Sequence, residues 1–188
     1  MMSHPSKADI LERLPKLSAI LQVYAVIAVM LSGWTITAFL WKLSAWLLIL
    51  SIGEIFVIFS YAMMANLLES LVVLGLLLLI CVCLPPRIFR DDFVVRGTIL
   101  SIGLIGSLMA FIGFQMGFGL DSEFLLFLGP SIVLSLTVFV LALSSKSRSA
   151  RSIRSAVLWV SDRLTVFLFI LLPLFIISSA YILIRNVS

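Results

Sequence analysis

The sequence predicts an all-α fold: a polytopic bundle of six transmembrane helices, with five as the alternative. Three observations carry this expectation. Hydrophobic residues make up 62% of the 188 residues and charged residues 12%, whereas a soluble domain is about half apolar and about a quarter charged. Mean hydropathy is +1.25. The apolar residues also fall into runs close to the roughly 20 that a helix needs to cross the hydrocarbon. So little charge cannot cover a water-facing surface. The length leaves room for one membrane domain, residues 1–188, and none for a separate soluble one.

Each element follows from local chemistry. Residues 1–17 form a polar to amphipathic interfacial segment, with Ile10, Leu11 and Leu14 apolar and Asp9, Glu12, Arg13 and Lys16 polar. The first span covers about 18–41 and ends at Lys42, flanked by Trp41 and Trp46 as at a headgroup boundary. Residues 43–84 would measure roughly 63 Å as one helix, about twice the bilayer core, so they read as two spans, 45–65 and 67–84. Asn66 and Glu69 supply the turn between them. Pro85 and Pro86 stop the third span. The fourth covers 97–118 and the fifth 124–143, joined by Gly119, Asp121 and Glu123. Residues 144–163 form a basic amphipathic loop, and the sixth span covers 164–184. The first apolar stretch is long and more of the same follows, unlike a cleaved signal peptide.

Six spans place both termini on one side. That side holds Lys7, Arg13, Lys16 and Arg185, and the other holds the remaining nine of the 13 Lys and Arg residues. The positive-inside rule then puts both termini outside and the basic loops in the cytoplasm, in a plasma membrane.

Few residues carry chemistry. Glu54 falls near the middle of the second predicted span, and a carboxylate at that depth is costly unless it faces a bundle interior or a wet cavity. Tyr61 follows seven positions later on the same helix face. With Gln115, these residues are the candidates for binding a proton or a ligand. Gln22, Tyr24, Ser178, Ser179 and Tyr181 would join them in an outward-facing pocket. Gly106, Ala110, Gly113 and Gly117 recur at helical spacing and make a small face for close helix packing. Pro130 and Pro173 interrupt two spans.

Lys146, Arg148, Arg151 and Arg154 lie on the basic loop. There, Ile153, Ala156, Val157 and Val160 form an apolar face suited to headgroup contact with anionic lipid. No aromatic or glycine pattern accompanies these cations, which argues against nucleic acid. Asp91 and Asp92 lack a third ligand at helical spacing, so they read as balancing nearby arginines rather than binding magnesium. Cys81 and Cys83 are too close for a disulfide framework and too few for zinc, and read as small apolar side chains. The only histidine is His4, and no motif for catalysis, metal or cofactor is present.

The chain therefore reads as a non-catalytic subunit or scaffold of a larger membrane complex, with the bilayer, anionic lipid and other membrane subunits or further copies of itself as partners. The alternatives are a small transporter or channel component built on Glu54 and, more weakly, a lipid-handling enzyme built on Asp91 and Asp92.

Overall fold

The computed structural model describes residues 15–83, 92–118, 129 and 148–187. These residues form five helices and no strand: α1 (Leu17–Trp46), α2 (Ile52–Cys83), α3 (Phe93–Phe118), α4 (Arg148–Thr165) and α5 (Leu168–Val187). Helices α1, α2 and α5 are long and apolar enough to cross a membrane, and α3 is apolar over Phe93–Met109. Over the described residues the chain is a helical bundle with three candidate membrane-spanning helices.

The largest correction concerns residues 43–84. The expected turn at Asn66 and Glu69 does not form, and Ile52–Cys83 is one helix of 32 residues, roughly 48 Å long. Neither glycine nor proline stands between Gly53 and Gly75 to break it. Asn66 turns inward instead, where its Oδ1 accepts a hydrogen bond of 2.9 Å from Thr35 Oγ1 on α1. The real break lies at residues 47–51, between Trp46 and Ile52, so α1 runs past Lys42. Six spans do not stand, and the expected span at 124–143, with Pro130, lies outside the described residues.

Helix α1 is the centre of the bundle. Its residues Val23 to Ala28 are buried at six consecutive positions, the mark of a helix covered on all sides. Val23 and Ile27 pack with Leu77 and Cys81 of α2 and Phe93 and Ile105 of α3. Tyr24, Ala25 and Ala28 pack with Met63 of α2 and Leu168, Leu171 and Phe175 of α5. Helix α2 runs antiparallel to α1: Phe59 meets Phe39 edge-on at 5.1 Å near one end, and Ser70 reaches Tyr24 toward the other. Helix α5 continues through Pro173.

The ends of the bundle differ from the expected topology. Lys16, at the start of α1, shares a cleft with Asp92 and Arg154. Arg185, at the end of α5, acts electrostatically on Glu54 at the start of α2. Lys16 and Arg185 therefore lie at opposite ends, not together. Among the described residues, one end collects Lys16, Arg96, Arg148, Arg151, Arg154 and Arg163, and the other has Lys42 and Arg185.

Candidate functional site

The basic end holds a cleft of about 700 Å³. Its walls come from three helix starts or flanks: Lys16, Ser18 and Gln22 from α1, Asp92 and Phe93 from α3, and Arg154 and Leu158 from α4. Each wall follows from local sequence. Lys16 occupies the N-cap of α1 in extended geometry without a side-chain cap, and its carbonyl accepts from Ala19 N and Ile20 N at 2.9 and 3.1 Å. Asp92 precedes α3, and its carbonyl takes the first helical bond, from Arg96 N at 3.0 Å. A carboxylate suits that position because the helix dipole is positive there.

Helix α4 is amphipathic, as its residue pattern predicts, and Arg154 points from it to Asp92. Arg154 Nη1 donates to Asp92 Oδ2 at 3.3 Å, and Nη2 donates to Oδ1. Arg96 faces the same carboxylate at 3.9 Å. Two cations thus face the Asp92 carboxylate, and Lys16 lines the same cleft. Leu158 and Phe93 add apolar wall. Such a cleft can take an anionic headgroup and the first carbons of its tail. Farther along α4, Arg163 stacks over Trp159 at 5.7 Å. Lys146 lies outside the described residues. Arg148 and Arg151 stand on α4, but their side chains are outside the described set.

Glu54 is exposed in the first turn of α2, not at mid-span. Its Oε2 accepts 2.8 Å bonds from both Ser51 N and Ser51 Oγ, and Ser51 Oγ in turn accepts from Glu54 N at 3.4 Å. This is a reciprocal capping box, legible in the sequence as Ser51-Ile52-Gly53-Glu54. Tyr61 donates to Asn186 Oδ1 at 3.3 Å, and Tyr181 meets Phe56 edge-on. Gln22 sits at the opposite, basic end. Tyr24 is buried and accepts from Ser70 Oγ at 3.3 Å, and Ser178 is buried. These groups tie helices together at different depths rather than lining one pocket. The side chain of Gln115 lies outside the described set.

Among the described residues, a Cβ at Gly106 would meet nothing within 4 Å. Ala110, Gly113 and Gly117 are helical, but their surroundings are outside the described set. The close approach falls at Gly97, where a Cβ would sit 3.2 and 3.3 Å from the Val23 methyls. Neither Gly97 nor the Thr35–Asn66 pair stood out in the sequence. The spacing of Asn66 and Ser70, one turn apart on one face, was the available signal. Among the described residues, no three His, Cys, Asp or Glu side chains group to hold a metal.

Fold and site define a class, a helical membrane protein with a basic, cleft-bearing end. No family model, curated protein or solved structure matches the chain.

Proposed function

We propose that the chain is a non-catalytic integral membrane subunit of a larger complex. One observation carries this reading: three polar pairs join helix to helix, while a long face of α2 is exposed among the described residues. Thr35 with Asn66, Tyr24 with Ser70, and Tyr61 with Asn186 are interhelical ties. Leu68, Val72, Leu76 and Leu79 are each more than half exposed on the opposite side of α2. Polar ties of this kind contribute about 0.6–2 kcal/mol each within a bilayer, enough to position spans. Purification from the native membrane in mild detergent, read by mass spectrometry, is expected to bring a stoichiometric membrane partner. It should also bring anionic phospholipid retained at the Lys16–Arg154 cleft. A lone chain, or copies of itself only, would overturn the subunit reading.

The orientation we propose has the start of α1 and the whole of α4 at the cytoplasmic face of a plasma membrane. Six Lys and Arg residues at one described end against two at the other support it. A thiol reagent that cannot cross the membrane is expected to label Lys42→Cys on intact cells and to leave Lys16→Cys unlabelled. The reverse pattern would invert the orientation.

A further inference from the structure

Glu69 stands beside the inward face of α2 and is turned away from the α1 contact. It is exposed, among the exposed Leu68 and Val72. Its neighbours on the inward face, Asn66 and Ser70, pair with Thr35 and Tyr24 of α1, so Glu69 lies at a depth between those two residues. The cations that bound α1 are Lys16 and Lys42, and the midpoint between them, Val29, falls within the same interval. Glu69 is thus a carboxylate near the middle of the bilayer, on the outside of the described bundle.

We infer that this face of α2 docks a transmembrane helix of a different protein, one that presents a Lys or Arg side chain at mid-depth. The inference rests on the subunit reading and adds the docking face and the chemistry of the partner. An uncompensated charge at mid-bilayer costs about 2.5–3.5 kcal/mol on insertion scales, and intramembrane charges pair with one another. Charge complementarity selects the occupant. Of the eight described cations, Lys16, Lys42, Arg96 and Arg185 lie within about a turn of the ends of α1, α3 and α5, the other four stand on α4, and no Lys or Arg stands between Arg96 and Lys146. A second copy would bring another carboxylate to this depth, not a cation. Gly75, exposed on α2 with nothing within 4 Å of a Cβ, lets the partner backbone come close.

Dicyclohexylcarbodiimide, a lipid-soluble carboxyl reagent, tests this through peptide mass spectrometry of the Glu69 segment. We expect labelling in native membranes to be at least tenfold below that of the chain purified alone in detergent. We also expect Glu69→Leu and Glu69→Gln, both foldable at a lipid-facing position, to release the partner. Equal labelling in the two settings would overturn the docking face. Protection that persists in the purified chain would overturn it too, by showing that a second copy or another part of the chain covers Glu69. If the wild-type chain brings a partner and Glu69→Leu still brings it, the docking face fails and the subunit reading stands. If the wild-type chain brings none, the subunit reading itself fails.

Discussion

Replacing Gly97 with Leu is expected to destabilise the bundle by about 3 kcal/mol, the upper part of the range for overpacking a filled core. A Cβ alone would already press on both Val23 methyls at 3.2 and 3.3 Å and approach the Phe93 ring at 3.9 Å. Val23 cannot yield, because it is fully buried among Ile27, Leu77, Cys81 and Phe93. The added Leu atoms must therefore push α3 away from α1, the helix around which the bundle is built. In detergent the melting temperature should fall by roughly 5–10 °C for a chain of this size. Gly106→Leu is the matched control. It meets open space, and the helix propensity gained, up to about 0.8 kcal/mol, favours the variant. Equal losses at the two positions, or none at Gly97, would remove the close approach of α1 and α3 from the account.

Asp92→Ala should be the next most damaging change, at about 1–3 kcal/mol. The carboxylate has three roles. It favours the α3 dipole from the preceding position, it holds the half-buried Arg96, and it takes both guanidinium nitrogens of Arg154. The last is a fastening of α4 to the spans. Loss of Asp92 should therefore loosen α4 selectively. The check is hydrogen exchange: amides of Ser155 to Val160 should exchange faster in the variant, while those of Val23 to Ala28 stay protected. Uniform acceleration would mean global unfolding instead. Unchanged exchange in α4 would show that its apolar face alone holds it.

Much of the architecture was legible from composition and pattern. A long apolar first helix was legible as an unbroken apolar run, and the structure forms it over Leu17–Trp46. The periodic arginines and aliphatics of the basic loop specified α4, because an amphipathic stripe is a local property. Glu54 was misread because hydropathy counted it as mid-span. Yet Ser51 three residues earlier carried the opposite signal, a capping box that starts a helix. Asn66 and Glu69 were misread as a turn for a related reason. Two polar residues in an apolar run look like a break until one of them finds a partner on another helix.

By itself, then, the sequence determined that this is a membrane helix bundle and that its basic loop carries an amphipathic helix. Those features depend on the transfer of side chains from water and on neighbours within a turn or two. Only the tertiary structure decided that α2 is continuous, that Lys16 and Arg185 lie at opposite ends, that Gly97 meets Val23 of another helix, and that Glu69 is exposed. Each of these depends on which helix face meets which neighbour, and that is set by contacts far apart in sequence: Thr35 with Asn66, Val23 with Gly97, Arg154 with Asp92.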